Sequence, residues 1–480
     1  MRYSSFTFML VLLMIISGVS RAQEYKIEVQ VEGVSDTIMM LGHHFGEQKF
    51  VVDTVQADAN GKAVFSGVEA LNHGIYLVVL PSINNSYFEL LIDDDQEFKL
   101  STNTEDFVNS MEVKGSKTNV AFNKYQRRMS ELQLDIGRYQ KQMKALKPES
   151  DSVEIYKEKM RDISEMRMDY MKEIAADNKD NLFGKIINAI IEPEIPDPPK
   201  DAEGNITDST FQYRYYRNHY FDNIDLTEPG LMRTPILQAK INYYFKNVVP
   251  PIADSVIPIA NNLIEQTKSN EDMFRFMTSH LLNYFETSKI MGMDKVFVTL
   301  AENWYLSGQA FWADEELLEK ITERVKKIAP NFIGSIAPDI AKVPTYHNEF
   351  ATLHEVEADY VVMVFYEPDC GHCKKIVPKL HNIYVDTLKD DNIEVFAIYT
   401  QGNEPDWREF IKEKKIDQWI NVWDPYRHSN FRNNYDIYST PVIYILDSEK
   451  RIVAKRIDID YITRFIEFDR KKKAKEKANE

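Results

Sequence analysis

An apolar run followed closely by two cysteines is the feature that most restricts how this chain can fold. The run is Asp359 to Tyr366 (DYVVMVFY), and an uninterrupted apolar segment of this length is typical of a strand buried on both faces of a sheet. Shortly after it comes Cys370-Gly371-His372-Cys373, which contains both cysteines of the chain. A helical pattern around Leu380 follows. The sequence therefore predicts a buried strand, a short turn that carries two thiols, and a helix.

The position of these thiols at the start of a helix predicts redox reactivity. The thiolate is the reactive form of cysteine, and the unpaired N–H groups of a helix N-terminus stabilise negative charge. We expect Cys370 to face outward with a depressed pKa, and Cys373 to be shielded and able to resolve a mixed disulfide. A protonated His372 would further favour the thiolate. Such dithiols span reduction potentials of about −270 to −120 mV, so the direction of electron flow stays open.

Other uses of the cysteine pair fit less well. The main alternative is a structural disulfide in a non-catalytic binding or scaffold protein of the cell envelope, but so small a loop constrains the unfolded chain little. Zinc needs about four ligands, and only His372 and His381 lie nearby in the sequence. Covalent haem attachment needs a His directly after the second cysteine, where this chain has Lys374. We therefore expect no metal and no cofactor.

The C-terminal region, residues 331–468, has the pattern of a single α/β domain. Predicted strands at 393–399 and 419–423 flank a predicted helix near 407–415, and a hairpin at 442–455 precedes a last helix. This alternation with a closing hairpin predicts a mixed sheet with helices on both faces. The remaining residues, 469–480, form a basic tail, which we interpret as a solvated helix end.

This arrangement resembles the thioredoxin superfamily. The matching residues are the buried strand, Cys370-Gly371-His372-Cys373-Lys374, Pro378 in the following helix, and Thr440-Pro441 before the hairpin. The resemblance implies that Cys370 is the nucleophile and that Cys373 resolves the mixed disulfide. It also implies that the Thr440–Pro441 peptide bond is cis and that these two residues bind an extended substrate by strand addition.

One departure from the family concerns proton transfer. The family's buried acid, six residues before the first cysteine, is replaced here by Val364. Glu367 is the nearest candidate for the proton acceptor of Cys373, although an ordinary solvated surface Glu is the simpler interpretation.

The resemblance extends further with less specific residues. The long gap from Cys373 to Pro441 favours the periplasmic TlpA and ResA-like branch, and residues 331–339 look like the opening segment of that branch. Residues 24–330 resemble the uncharacterised β and helical modules that precede thioredoxin-like domains in envelope proteins of Gram-negative bacteria. That second resemblance implies an architecture and no activity.

Residues 24–330 divide by the period of their apolar positions. Residues 24–115 alternate with period two, which predicts an antiparallel β-sandwich-like domain, and Asn60-Gly61 predicts a hairpin turn. The acidic run 93–95 is interpreted as a solvated turn rather than a cation site. Residues 119–330 have helical spacing, beginning with a heptad seam that predicts two antiparallel helices. We therefore predict a central all-α domain.

The N-terminus has the pattern of a secretory signal over residues 1–22. A positive Arg2, an apolar core at 6–16 and a small-x-small site ending at Ala22 carry this interpretation. The apolar core is shorter than the roughly 20 residues that span a bilayer, so we expect an exported, periplasmic protein without a transmembrane anchor.

Composition excludes several classes of function. A formal net charge of −17 argues against sequence-independent nucleic-acid binding, and two cysteines exclude a disulfide-stapled scaffold and a four-thiolate iron–sulfur site. The prediction is an exported thiol-disulfide oxidoreductase, either a reductase or an oxidase or isomerase. Its partners would be envelope protein substrates and a redox partner that exchange electrons with the Cys370–Cys373 pair.

Overall fold

The computed structural model describes residues 25–146 and 151–479. These residues belong to two compact units, Met1–Tyr244 and Phe245–Glu480. The predicted signal at 1–22 and the predicted break between two helices at 147–150 lie outside the described residues. No helix among the described residues is long and apolar enough to cross a membrane.

The first unit begins with a β-sandwich, as the period-two pattern predicts. Two four-stranded sheets, with strand orders β4-β1-β7-β8 and β3-β2-β5-β6, share one core that includes Val29, Phe65, Leu41 and Val78. Alternate residues of β1 are buried because successive side chains point to opposite faces of a strand. The strands are β1 (Tyr25–Glu32), β2 (Ile38–Phe45), β3 (Gln48–Gln56), β4 (Lys62–Gly67), β5 (Gly74–Leu80), β6 (Ser86–Ile92), β7 (Glu97–Asn103) and β8 (Glu112–Lys114).

Two details of the sandwich differ from the prediction. β1 pairs with β7 in parallel, so the domain is not purely antiparallel; these strands are distant in the sequence, and the alternation of one strand does not reveal the direction of its partner. Asn60-Gly61 does not close a hairpin, because β3 and β4 belong to different sheets. Gly61 has a φ of +69°, as the turn chemistry requires, but the tight hairpin joins β2 to β3 around Gly46.

Among the described residues of the first unit, five α-helices follow the sandwich. The two long helices α1 and α2 confirm the predicted antiparallel pair, because Tyr125 stacks on Tyr170 and Tyr139 stacks on Tyr156. Asn119 of α1 attaches this pair to the sandwich by bonding both the N–H (2.8 Å) and the C=O (2.7 Å) of Leu91. The helices are α1 (Lys117–Lys144), α2 (Asp151–Asp177), α3 (Leu182–Ile190), α4 (Phe211–His219) and α5 (Ile236–Tyr243).

The second unit starts with four helices that the sequence assigned to the central all-α region. In the structure, these helices form one compact unit with the C-terminal sheet, and the boundary between the two units falls at 244/245, inside the region predicted as the central all-α domain. Asn270 and Asp314 cap two of them through their side chains. The helices are α6 (Ala253–Gln266), α7 (Glu271–Glu286), α8 (Asp294–Leu300) and α9 (Glu315–Ile328).

The C-terminal region is a five-stranded mixed sheet with helices, as predicted. Its strand order is β13-β12-β11-β14-β15; β11, β12 and β13 are parallel, while β14 and β15 form the antiparallel hairpin. The elements are β9 (Val343–Pro344), β10 (Phe350–Ala351), β11 (Tyr360–Tyr366), α10 (Cys373–Ile383), β12 (Ile393–Tyr399), α11 (Glu404–Lys414), β13 (Ile420–Trp423), α12 (Phe431–Asn434), β14 (Val442–Asp447), β15 (Ile452–Lys455) and α13 (Ile462–Asn479). The basic residues between Arg470 and Lys477 continue α13.

Strand β11 explains how the apolar run orders this sheet. All of its residues are buried, and they alternate between two cores. Val362, Val364 and Tyr366 join the core beneath α10, whereas Met363 and Phe365 join the core on the opposite face. A strand covered on both sides must be apolar throughout, which is why its sequence lacks alternation. Its carboxyl end delivers the chain to the cysteines.

Candidate active site

Cys370 lies in the turn between β11 and α10, and two residues separate it from Cys373, where the helix begins. Its N–H donates to the Glu367 carbonyl (3.2 Å), and its carbonyl accepts from Lys374 (3.1 Å), which sets the turn. Its half-buried sulfur lies 3.4 Å from the N–H of Cys373 and donates to the Thr440 carbonyl at 3.2 Å. The Cys370 thiol therefore lies at the start of a helix, as the sequence predicts, and it contacts the first N–H group of that helix.

The two thiols differ in how readily they ionise. Partial burial opposes ionisation of Cys370, but hydrogen bonds from the backbone of Cys373 and from its neighbours outweigh it and lower its pKa below the ordinary value. Cys373 is 0% exposed, and burial raises its pKa to about 12. The accessible sulfur therefore ionises more readily than the shielded sulfur.

Thr440 and Pro441 lie beside the thiols, directly before β14. The Thr440–Pro441 peptide bond is cis, as the resemblance implies. The Thr440 carbonyl accepts from the Cys370 sulfur, so this step is in direct contact with the accessible thiol. Both residues are half-buried and can be reached from the solvent.

The Glu367 carboxylate accepts a hydrogen bond from the Thr400 hydroxyl at 2.7 Å. Among the described residues, no hydrogen bond joins that carboxylate to Cys373, and its role as a proton acceptor stays a prediction. The position of the family's buried acid, Val364, is fully buried and apolar. Sequence reasoning missed the buried Tyr366, whose hydroxyl accepts from the Trp407 indole N–H at 3.0 Å and whose pKa is raised by burial.

A cleft of about 970 Å³ opens beside the thiols within the second unit. One of its walls belongs to the C-terminal domain and includes the exposed His372 together with Pro441. The other wall is the connection between α7 and α8, which includes Ile290 and Met291. Nothing in the sequence of that connection resembles a redox motif, and sequence reasoning therefore did not include it in the site.

Buried charges join the same two walls. Lys455 of β15 is 6% exposed and pairs with Asp294 at the start of α8. Burial lowers the pKa of Lys455, and the Asp294 carboxylate opposes that shift. Arg324 of α9 pairs with Glu286 at 3.2 Å and also with Asp436, which precedes the Thr440–Pro441 step. These helices are thus attached to the domain that carries the cysteines.

One cluster elsewhere could hold a metal ion by its geometry. His73, Asp93 and Asp94, in the first unit, offer ligand atoms within 4.8 Å of one another. Asp93 is 7% exposed and accepts from the N–H of Leu182 at 3.1 Å, so the prediction that this acidic run is a solvated turn is wrong for Asp93. His73 already pairs with Asp93 at 3.4 Å, which accounts for the cluster without an ion.

Three segments of the chain match known family models. Residues 358–452 match a thioredoxin-like family. Residues 25–122 and 171–331 match two families described as domains of unknown function, DUF4369 and DUF5106. No protein with a curated description matches the chain.

Several solved structures are similar to the chain. A domain of a possible thiol-disulfide isomerase from Cytophaga hutchinsonii is 34% identical, with 30% of this chain and 99% of that chain covered and a TM-score of 0.29. The thioredoxin domain of a thiol-disulfide oxidoreductase from Bacteroides vulgatus is 28% identical over 28% and 95%, with a TM-score of 0.26. A thioredoxin-like protein from Bacteroides caccae is 20% identical over 57% and 98%, with a TM-score of 0.47.

The family-model match and the 34% identity over nearly all of the Cytophaga domain show that this chain belongs to the thioredoxin-like family. Its membership lies in the C-terminal domain, around Cys370 and Cys373. The two preceding family matches carry no functional description, in agreement with the uncharacterised modules expected from the sequence.

Proposed function

We propose that the protein is an exported thiol-disulfide oxidoreductase that exchanges the Cys370–Cys373 dithiol or disulfide with protein substrates of the cell envelope. The observation that carries this proposal is the difference in accessibility and pKa between the two sulfurs. Cys370 is accessible, receives the Cys373 N–H at 3.4 Å and has a lowered pKa, whereas Cys373 is fully buried with a pKa raised to about 12. The names of two similar structures, an isomerase and an oxidoreductase acting on thiols and disulfides, support the same chemistry.

The exchange proceeds in two balanced steps. In the reducing direction, the Cys370 thiolate attacks one sulfur of a substrate disulfide, which breaks the substrate S–S bond, forms a mixed disulfide and releases one substrate thiolate. Cys373 loses its proton and attacks Cys370, which releases the second substrate thiolate and leaves the Cys370–Cys373 disulfide. Two electrons pass from the dithiol to the substrate, and a dithiol redox partner restores the enzyme. The oxidising direction is the reverse.

Export and the envelope setting rest on the sequence pattern of residues 1–22. The envelope is an oxidising compartment in which protein disulfides form, so exchange chemistry has substrates there. Amino-terminal sequencing of the protein recovered from the periplasm of a Gram-negative host tests this part. A mature chain beginning after Ala22 supports it, and an intact Met1 in the cytoplasmic fraction contradicts it.

Limited alkylation of the reduced protein tests the assignment of the sulfurs. At neutral pH, a limiting amount of iodoacetamide is expected to label Cys370 in preference to Cys373. The rate should rise with pH and reach half its maximum below the ordinary midpoint of a cysteine, because the thiolate is the reactive form. Equal labelling, or preferential labelling of Cys373, would contradict the assignment.

Equilibration with glutathione tests redox activity and separates it from a structural disulfide. We expect a reduction potential between about −270 and −120 mV, the span of redox-active dithiols. The measured value then gives the direction of electron flow. A disulfide that stays oxidised well below that range would instead favour a scaffold protein. Cys373→Ser should in addition trap envelope proteins as mixed disulfides on Cys370, and the matched Cys370→Ser variant should trap none.

A further inference from the structure

The cleft beside Cys370 has one wall that the redox domain does not supply. On the side of the C-terminal domain, the cleft is lined by His372, Ile376 and Pro441. The opposite wall is the connection from α7 to α8, where Ile290 is 45% exposed and Met291 packs against the core beneath α10. An exposed aliphatic side chain in a cleft next to a reactive thiol is available for contact with a substrate.

This connection is held in a defined conformation. The N–H of Ile290 donates to the Ser288 hydroxyl at 3.2 Å, and Gly292 adopts a φ of +86°, a left-handed conformation that glycine takes without strain. Met293, which follows, is buried, and α8 begins at the next residue with the Asp294 carboxylate that pairs with buried Lys455. The end of the connection at α8 is therefore anchored, and Ile290 lines the cleft from this connection.

The chemistry of the cleft indicates what it would bind. The buried and half-buried bases of its lining are occupied, since Lys455 pairs with Asp294 and Arg324 pairs with Glu286 and Asp436. A ligand that needs cationic partners for several carboxylates would therefore find these bases already neutralised. Ile290, Met291 and Ile376 form an apolar part of the lining, beside polar and exposed charged residues such as Lys289 and His372. A volume of about 970 Å³ is also large enough for several side chains of a polypeptide, beyond the space of one thiol.

We propose that Ile290 and Met291 determine substrate specificity by forming an apolar subsite, which receives an aliphatic side chain adjacent to the reacting cysteine of an extended polypeptide substrate. The proposal rests on the proposed exchange function and deepens it. It makes the α7–α8 connection part of the substrate site, although this connection lies far from the cysteines in the sequence. Neither residue takes part in the chemical step.

Peptide disulfides that differ beside the cysteine test the subsite. Two disulfide-linked peptides of equal length and charge, one with Leu and one with Gly on either side of the cysteine, are exchanged with the full-length protein. We expect kcat/KM to be about 10-fold higher for the Leu peptide, since an aliphatic contact in an apolar pocket discriminates by that order. Ile290→Ser and Met291→Ser should each reduce this preference, mainly through KM, while exchange with the Gly peptide changes less than about twofold.

Leu317→Ser is the matched control. Leu317 lies on α9, one of the four helices α6–α9, and is 38% exposed. It is not among the residues that line the cleft, so its replacement should leave the peptide preference unchanged. Since Ile290 is itself exposed, Ile290→Ser should fold, and circular dichroism and the thermal midpoint verify this for each variant. Binding of the same peptides with Ser in place of Cys, followed by fluorescence anisotropy, measures the subsite without any redox step.

The outcomes separate the subsite from the exchange function. Equal exchange of the Leu and Gly peptides by the unmodified protein, or an unchanged preference in both variants, overturns the subsite and leaves the oxidoreductase proposal standing. A different outcome is that the protein binds the Leu peptide with Ser in place of Cys, that Ile290→Ser weakens this binding, and that neither disulfide peptide is exchanged. This outcome supports the subsite and overturns the oxidoreductase proposal. Absence of both binding and exchange overturns both the subsite and the oxidoreductase proposal.

Discussion

The long helical pair α1–α2 and the four helices α6–α9 have the same helical spacing of apolar residues in the sequence, but they pack against different parts of the structure. Asn119 fixes α1 to the β-sandwich of the first unit by bonding both backbone groups of Leu91. In the second unit, Asp294 and Arg324 attach α8 and α9 to the domain that carries the cysteines. The comparison teaches that an apolar period identifies a helix and does not identify the surface that the helix covers.

The same comparison separates sequence families from compact units. The family that matches residues 171–331 begins inside α2 and ends after α9, so it crosses the boundary at 244/245. A sequence family can therefore include helices that stabilise two different units. For function, the consequence is that removing 25–244 and removing 25–330 are different experiments.

The largest expected effect comes from the second of these deletions. A chain that begins at 245 retains the charge pairs of α8 and α9, and we expect it to unfold cooperatively and to exchange disulfides within about twofold of the full chain. A chain that begins at 331 loses Asp294 and Arg324, and it exposes the surface that their helices cover. Its free energy of unfolding in urea should be lower by at least about 3 kcal/mol, because apolar surface that α6–α9 bury becomes exposed to water. Equal urea midpoints for the two chains would show that α6–α9 do not stabilise the thioredoxin-like domain.

Asp294→Ala isolates the buried charge from the rest of that surface. Removing the carboxylate leaves Lys455 buried without its anionic partner, which should destabilise the second unit by about 3–5 kcal/mol. Glu316→Ala is the control, because its pair with Lys320 on α9 is exposed and such pairs contribute about 0–1 kcal/mol. Losses of similar size in the two variants, measured by urea denaturation, would contradict the structural role of the Asp294–Lys455 pair.

A pair of core truncations, one in each helical region, sharpens the comparison. Leu132 of α1 and Leu263 of α6 are 3% and 4% exposed, so replacing either by Ala should cost about 2–5 kcal/mol. Leu263→Ala should lower the temperature at which disulfide exchange is lost, whereas Leu132→Ala should leave that temperature unchanged. Loss of exchange at the same reduced temperature in both variants would indicate that the two units unfold together.

The smallest expected effect is a pH dependence that belongs to the second unit alone. The pKa of Cys373 is raised to about 12 by burial, so its contribution to stability is fully present below the pKa of an unfolded cysteine, near 8.5. That contribution is lost as the pH rises from there toward 12, by about 1.4 kcal/mol per pH unit. Comparing Cys370→Ser with Cys370→Ser/Cys373→Ser between pH 8 and 10 measures it without a disulfide. Parallel pH profiles of the two variants would contradict the raised pKa.

Much of the thioredoxin-like domain follows from local sequence. The strand predicted at 393–399 is β12 without change, and the continuous apolar run beginning at Asp359 is β11 from Tyr360 onward. Both were predictable because a strand buried on two faces has to be apolar at every position. The helix-start position of Cys370 followed from adjacent residues, since a thiol and the first N–H groups of a helix are neighbours along the chain.

What could not be predicted depends on pairings between distant segments. The parallel partner of β1 and the burial of Asp93 against the N–H of Leu182 have no signal within either segment. The same holds for the Thr400 hydroxyl that holds the Glu367 carboxylate. Each of these contacts joins segments that are far apart in the sequence and that come together only when the chain folds.

The sequence by itself determined the helices and strands, the thioredoxin-like order of the C-terminal elements, and the identity of the two thiols, because these depend on periodicity and on neighbouring residues. Only the tertiary structure decided that Cys373 is shielded to the point of a pKa near 12, and that the α7–α8 connection forms a wall of the cleft beside Cys370. Burial and long-range contact are properties of packed surfaces, and a packed surface is built from residues that the sequence keeps far apart.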